Sequence, residues 1–315
     1  MLSYVATAVN NERINLGFSL EVNINKSLDA PADELVVTFP LTEKIKELKT
    51  IEVFNEKKER IFSGIIDLQK FFYKTSGSYL SLTARNSVSL LLDNEALPCT
   101  YTLPSLEIIF KNHVRPYGFN NFLGNNKVFA KEFIVTKGMS EYEVLEYFCT
   151  RYLGVCPRFL NDSILDATGD YKKSNIIFSN EISGTIRYSS LCENIKRYKQ
   201  YSQLYIKAGN DTNYSLNVKN EEAFSEGILR KRYLNISNSS VTPIEYGEKI
   251  LKSSNKNSYE LVINCPGNVI LNPGDLAILK DSSFKNLDSE FLVYKVNYAL
   301  NSSLEETVVT LIKKD

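Results

Sequence analysis

Apolar positions along this chain follow a period of two at both ends and a helical period in the middle. Near the start, Phe18, Leu20, Val22 and Ile24 alternate with Ser19, Glu21 and Asn23, the signature of a half-buried strand. ELVVTF at 34–39 predicts a more buried strand that stops at Pro40. The alternating charges of 41–48 predict a short helical stretch. TIEVF at 50–54, IFSGIID at 61–67 and YLSLTAR at 79–85 predict three further strands, with Ser76, Gly77 and Ser78 turning the chain before the last. Five short strands separated by turns predict a small barrel or sandwich.

The same strand grammar returns at the far end as GDLAIL at 274–279, EFLVYKVNY at 290–298 and ETVVTLI at 306–312, with almost no shared identities. A chain with two like-patterned β units can offer two equivalent surfaces to a symmetric partner. Between them the period lengthens. Leu106, Ile109, Phe110 and Val114 predict a helix with Pro104 in its first turn, stopped by Pro116 and Gly118. Residues 132–136 read as a strand. Ser140 and Glu143 form a capping box for a helix whose apolar face is Tyr142, Val144, Leu145, Phe148, Tyr152 and Leu153. Strands are expected at 175–178, 184–188, 203–208 and 259–264, and a short helix capped by Ser190 and Glu193. A helix of about ten residues is expected to start from the box Thr242, Pro243 and Glu245. Asn272 to Asp275 is a strong turn signal, and the Asn- and Ser-rich stretch 235–240 reads as a mobile loop. The expectation is a mainly β fold with an α/β insertion: a β domain at 1–98, a small α/β connecting module at 99–172, and a second β domain at 173–315 with a helical insertion around 242–253.

Composition narrows the function. At 315 residues the chain has room for two or three domains. Its 37 basic residues equal its 37 acidic ones, so the positive excess of a nucleic-acid binder is missing. No apolar run approaches the ~20 residues that cross a bilayer, and the first ten residues lack the basic start and apolar core of a signal peptide. Neither sequence-specific nucleic-acid binding nor membrane insertion is expected. The five cysteines, at 99, 149, 156, 192 and 265, sit in apolar or helical surroundings and are expected as buried free thiols.

Catalytic chemistry finds little support. His113 is the one histidine, and its place in a helix between Asn112 and Val114 suggests a packing or surface role. There is no nucleophile elbow, phosphate-binding loop or dinucleotide fingerprint. Glu12, Glu21, Glu305 and Glu306 are carboxylates without a fixed separation. Asn161 and Asp162 with Asp166 and Asp170 lack the ligand spacing of a calcium loop and read as a turn-rich surface loop. No catalytic, cofactor-binding or metal-ligating residue is assigned, and no cofactor is expected. Two basic clusters stand out: Lys196, Arg197 and Lys199 after the short helix, and Arg230, Lys231 and Arg232 in a strand. The second fits an exposed edge strand guarded by charge better than a lumen or partner contact. Nineteen tyrosines, among them Tyr101, Tyr147, Tyr188, Tyr205 and Tyr298, fall on strands and helix faces, a distribution that suits interfaces.

Several segments resemble, in order, those of one family. IFSGIID at 61–67 looks like its Gly-containing strand. Leu82 to Asn86 with Leu90 to Leu92 resembles its next conserved stretch, Asn86 standing where an acid is common. GMSEYEVL at 138–145 is similar to its helix start, with Tyr142 where Trp is frequent. Pro273, Gly274 and Asp275 through Tyr298, then 307–311, resemble its closing strands. The family is that of the baseplate hub proteins of contractile phage tails, the late control protein D group and the hubs of Mu and T4 type. The resemblance implies two tube-like β-barrels per chain joined by the α/β module. It also implies a non-catalytic homotrimer whose pseudo-sixfold ring joins the sixfold tail tube to the threefold spike. The implied partners are tube, spike and other baseplate proteins, with assembly in a bacterial host cytoplasm into a phage tail, tail-like bacteriocin or injection particle. Two alternatives stay open. One is a carbohydrate- or receptor-binding β module of the tail tip, which needs an exposed aromatic platform. The other is a peptidoglycan-degrading tail enzyme drawing on acids such as Glu12 and Glu21.

Overall fold

A computed structural model describes residues 2–41, 43–160, 163–171, 176–209, 212–236, 241–283 and 290–314. In chain order the first elements are β1 (Ser3–Ala8), β2 (Arg13–Asn15), β3 (Glu21–Ser27), β4 (Glu34–Leu41), β5 (Leu48–Phe54), β6 (Arg60–Lys74) and β7 (Gly77–Arg85). The middle holds α1 (Ser89–Asp93), β8 (Cys99–Tyr101), α2 (Leu106–Ile109), β9 (Asn121–Gly124), β10 (Phe133–Val135), α3 (Glu141–Phe148), β11 (Arg158–Leu160) and β12 (Ile164–Ala167). Next come β13 (Ile176–Phe178), β14 (Ser190–Ile195), β15 (Gln203–Ala208), β16 (Leu216–Lys219), α4 (Glu221–Ser225), β17 (Lys231–Ile236) and α5 (Pro243–Lys256). The chain closes with β18 (Tyr259–Pro266), β19 (Leu276–Leu279), β20 (Glu290–Leu300) and β21 (Glu305–Lys313). The fold is mainly β with an α/β part. Contacts gather it into two units. The first is Met1–Ser89 with Tyr171–Cys192 and Leu261–Leu311; the second is Leu90–Asp170 with Glu193–Glu260 and Ile312–Asp315.

The first unit is organised by one large sheet, in the order β14-β18-β21-β20-β3-β4-β7-β6-β5-β1-β2, with β19 pairing β20 and β13 pairing β19. Among the described residues the pairings form an open path. The second repeated pattern joins the first half of the chain where β20 runs antiparallel to β3, from Lys295 opposite Ser27 to Leu300 opposite Val22, with β3 and β4 standing between it and the first pattern, β5 to β7. Alternation sends Val22, Ile24, Leu35, Val37, Leu80, Leu82 and Tyr298 into one core with Tyr4, Phe39, Ile51 and Val53. Tyr4 meets Phe39 edge to face at 5.0 Å, a favoured aromatic geometry.

Several local expectations change. The first strand opens only at Glu21, because the ladder to β4 begins with the Leu20 N–H on the Thr38 carbonyl; Phe18 is 60% exposed. The next strand does not stop at Pro40 but runs to Leu41. Thr38 points its carbonyl at the β3 side, so by alternation Pro40 turns its missing N–H to the same side, beyond the end of β3, where no ladder bond is lost. Residues 43–47 form no helix. The Leu48 N–H is taken by Gln69 Oε1 (2.8 Å), Gln69 Nε2 donates to the Lys46 carbonyl (3.0 Å), and the Val9 N–H takes the Glu47 carbonyl (3.0 Å). Residues 184–188 make a single bridge, Ile186 with Phe178, inside a loop held by side-chain bonds from Asn180 and Thr185. The expected helix after Ser190 is the strand β14, because a ladder along β18 holds it: the Ser189 N–H reaches the Asn264 carbonyl and the Lys196 N–H reaches Ser258. Cys149 and Cys265 are buried as expected, but Cys156 and Cys192 are exposed. The remainder of the expected mobile loop, 237–240, lies outside the described residues, as do Asn161, Asp162 and Asn175.

In the second unit the helical caps form as the spacing predicts. Ser140 and Glu143 bond reciprocally at the start of α3, and Thr242 and Glu245 do so at α5, which runs on to Lys256. Ser105 caps α2, which leaves Pro104 just outside the helix. Both α2 and α3 widen into a π-type turn, over Phe110–Val114 and Cys149–Leu153, and end at Gly118 and Gly154 in the left-handed region. A second sheet, β16-β15-β17, rests on α5 through Leu204, Ile206, Val218, Ile236 and Leu251. The approach is close: a Cβ on Gly247 would lie 2.7 Å from Ile206 Cδ1.

Gly64, in the strand that resembles the family motif, has an equally tight reason. A Cβ there would sit 2.5 Å from the Arg85 carbonyl oxygen and 2.8 Å from the Phe62 ring. Backbone cannot give way cheaply, so Gly64→Ala should lower stability by about 1–3 kcal/mol, read from the midpoint of urea unfolding. A neutral or stabilising change would show that β6 and β7 are not held this closely.

Candidate functional site

The large sheet has a second face, turned away from its core, and pairing aligns a single row of residues across it. Asn297, Asn25, Glu34, Arg85, Ile65, Thr50, Thr7 and Arg13 follow one another on β20, β3, β4, β7, β6, β5, β1 and β2. The row is polar apart from Ile65, and both its arginines are paired. Asn297 Nδ2 donates to Asn25 and, at 3.3 Å, to Asn23; Asn25 Nδ2 donates to Glu34 Oε2 at 3.3 Å. Register shifts in β6 between Ile66 and Leu68, a bulge that brings Asp67 to Arg85 in a two-pronged pair at 2.6 and 3.1 Å. Glu52 accepts from both Arg13 (3.0 Å) and Arg60 (3.3 Å). Beyond its pairing with β5, β6 continues with β7 into a hairpin turned at Thr75 and Ser76. Phe72 stacks on Tyr79 at 5.2 Å there, with Lys70 and Lys74 over the Phe72 ring, while Leu68 and Tyr73 stand exposed.

The second unit holds the one histidine in a buried network. His113, 3% exposed, sits on the widened turn after α2. Its Nδ1 lies 2.5 Å from Glu141 Oε2 and its Nε2 lies 2.8 Å from the Tyr101 hydroxyl. An Nδ1–H donating to the carboxylate, with Nε2 accepting from the phenol, satisfies both ring nitrogens. Tyr117 Oη donates to Glu141 Oε1 at 3.1 Å, and Asn112 Nδ2 donates to Tyr101 at 3.3 Å. Burial above all pushes the Tyr101 phenol up to about 12, which keeps it a donor. Of the packing or surface role expected of His113, the geometry shows packing: a set of partners that ties the turn after α2 to α3 and β8.

Other candidates are likewise occupied. Asp166 is not in a loop but on β12, where it accepts from Arg158 Nε (2.9 Å) and Nη2 (2.6 Å) and from the Thr168 hydroxyl (2.6 Å). Burial opposes its charge, yet these donors hold its carboxyl below the usual range. Asp281 accepts from Ser179 Oγ (2.6 Å), from the Asn180 N–H (3.0 Å) and from Tyr188 Oη, pinning the loop that follows β13. Glu12 pairs with Lys46 at 3.1 Å, and Glu305 accepts from Tyr298 Oη at 2.9 Å. Among the described residues no group of three His, Cys, Asp or Glu side chains gathers to hold a metal ion, and no helix is long and apolar enough to cross a membrane. A hollow in the first unit, lined by Ile24, Lys26, Ile61, Asn268, Val296 and Tyr298 among others, is mostly apolar, with one ammonium, one amide and one hydroxyl at its wall.

The basic strand β17 is an edge strand, as the charge pattern suggested, and Arg230, Lys231 and Arg232 are exposed. Its parallel register with β15 places Tyr233 opposite Tyr205 on the face away from α5. The two rings stack at 5.4 Å, and Tyr214 meets Tyr233 edge-on at 5.2 Å. Composition announced the tyrosines, but nothing in the sequence announced that these three converge.

No family model matches this chain, and no curated protein does. Solved structures do. A tail protein from Neisseria meningitidis MC58 superposes with a TM-score of 0.77 at 15% identity, covering 99% of this chain and 97% of that one. The 43 kDa tail protein of prophage MuSo2 from Shewanella oneidensis gives 0.74 at 17%, over 99% and 98%. The fold is that of phage tail proteins. An E. coli component of the type VI secretion system, itself described as similar in structure to T4 tail proteins, gives 0.65 at 10%, over 94% of this chain and 74% of its own. The tail-protein fold thus spans both units, in agreement with the resemblance drawn from residues 61–67, 82–92, 138–145 and 273–311.

Two outcomes follow from the buried networks. Glu141→Ala leaves His113 Nδ1 and the Tyr117 hydroxyl without their acceptor and should cost about 3 kcal/mol in urea unfolding. A cycle with His113→Ala should show strong coupling; additive losses would dissolve the network as a unit. Asp166 has a depressed folded pKa, so its stabilisation is complete above the unfolded value and disappears as pH falls through the folded one. Asp166→Asn should therefore be less stable than the parent at neutral pH, with the gap narrowing in acid. A gap that stays constant with pH would refute the assignment.

Proposed function

We propose that this chain is a structural, non-catalytic hub of a contractile tail baseplate, forming a homotrimeric ring with pseudo-sixfold symmetry between the tail tube and a threefold spike. The observation that carries the reading is the one sheet that holds both similar strand units, β5-β6-β7 and β19-β20-β21, joined through β4 and β3 by the β20–β3 pairing. In each the middle strand is the long one, 15 residues in β6 and 11 in β20. Three chains with two such units each offer six comparable surfaces, which is what a threefold object needs to meet a sixfold partner. On this reading residues 1–98 and 173–315 supply the two tube-facing modules and 99–172 connects them.

The fold likeness supports it over nearly the whole chain, in proteins named as phage tail and secretion-system components. The partners are tube, spike and neighbouring baseplate proteins, and the chain works within a tail or tail-like particle after assembly in the bacterial host. The polar row from Asn297 to Arg13, its arginines paired with Asp67 and Glu52, suits the wall of a passage, where bare cations would trap an acidic traversing macromolecule. No enzymatic step is assigned; Glu12, Glu305 and the histidine are held in pairs with Lys46, Tyr298 and Glu141.

Light scattering on the purified chain, alone and with a cognate spike, tests the proposal. The expected mass is three times that of the 35.8 kDa chain, with an annulus in negative stain. A monomer at high concentration that stays monomeric with the spike would overturn it.

A further inference from the structure

The sheet β16-β15-β17 has one face on α5 and one face that is open among the described residues, and the open face has a specific chemistry. Leu204, Ile206, Val218 and Ile236 point to α5. By alternation and register, Gln203, Tyr205 and Lys207 on β15 share the opposite face with Lys231, Tyr233 and Asn235 on β17 and with Asn217 and Lys219 on β16. Tyr214 joins them from the turn before β16. Tyr233 is 55% exposed and Tyr214 43%, so the aromatic group stands in solvent. It is also preformed: Tyr205 and Tyr233 stack at 22°, Tyr214 braces Tyr233 at 75°, Lys231 lies 6.0 Å over the Tyr205 ring, and Tyr205 Oη donates to Gln203 Oε1 at 3.2 Å.

Among the described residues, charge on this face has one sign. Lys207, Lys219 and Lys231 are its ionised groups, and none of its described residues is Asp or Glu. Three ammonium groups, phenol hydroxyls and the amides of Asn217 and Asn235 around exposed ring surface are the complement of a hydroxyl-rich anion: ammonium for carboxylate or phosphate, amide and phenol for hydroxyls, ring for the C–H face of a sugar. A nucleic-acid strand fits less well. One face of Tyr205 and one of Tyr233 are already turned to each other, so the platform presents ring surface for a single sugar ring and not for a run of stacked bases. The chain, with 37 basic and 37 acidic residues, also shows no excess of cations to follow a long phosphate backbone.

We propose that this face binds an anionic saccharide, with Tyr233, Tyr205 and Tyr214 as the platform and Lys207, Lys219 and Lys231 as the charge partners. The site does not depend on the hub reading; a chain that fails to trimerise would still carry it.

Isothermal titration of the full chain tests it with tetragalacturonate, glucose 6-phosphate, maltotetraose, inorganic phosphate and an oligo-dT of eight residues. One of the two charged sugars should bind at least about tenfold more tightly than maltotetraose and inorganic phosphate, and which one binds tells carboxylate from phosphate recognition. Tyr233→Ala should weaken that binding by about tenfold, Tyr233→Phe should largely keep it, and Lys207→Glu with Lys231→Glu should abolish it. Binding of neither charged sugar, equal binding of maltotetraose, tighter binding of oligo-dT, or indifference to these substitutions would each overturn the proposal.

Discussion

Register across the β20–β3 seam is the constraint on which the first unit depends. The seam places Tyr298 beside Ile24 in the core and Asn297 beside Asn25 on the polar face. A slip of one residue would exchange them, driving an amide into the core and a tyrosine out of it. The same register, carried on through β4 and β7, aligns Glu34 with Arg85 and lets the bulge at Asp67 neutralise that arginine. Core, polar row and the joining of the two repeated strand units through β3 and β4 are therefore one decision, taken strand by strand.

The second unit is specified by different means. Capping boxes start α3 and α5 at fixed residues, left-handed glycines end the turns that follow α2 and α3, and a buried His–Glu–Tyr network ties the elements around α3. None of these devices needs long-range strand register. The contrast has a physical root: helices close their own hydrogen bonds, whereas a strand is undefined until its neighbour is known.

That contrast also explains what the sequence revealed. Period-two runs at 50–54, 61–67, 79–85, 203–208 and 290–298 become strands, and Ser140 and Thr242 become caps, because each signal is local. The box at Ser190 and Glu193 misled because Glu193 instead accepts from Tyr259 Oη and the backbone pairs with β18. Residues 43–47 misled because Gln69, more than twenty positions away, claims backbone there. His113 was legible as a packing residue, but not its partner Glu141, 28 positions on. The tyrosine count was visible and Lys231 was marked as an edge charge. Their meeting with Tyr205 depends on the parallel register of β15 and β17, which no spacing in the chain encodes.

The seam has a further consequence, in time. Asn25 and Asn297 lie 272 positions apart. At ordinary ribosomal rates of about 5–20 residues per second, β3 waits some tens of seconds for its neighbour to be made. Throughout that interval one edge of an otherwise pairable sheet is open, and the best-matched strand for it in the cell is residues 290–300 of another copy that finished first. Exchange of β20 between nascent chains is thus the natural misassembly of this protein, and any factor that keeps newly made copies apart protects its fold before it protects its function.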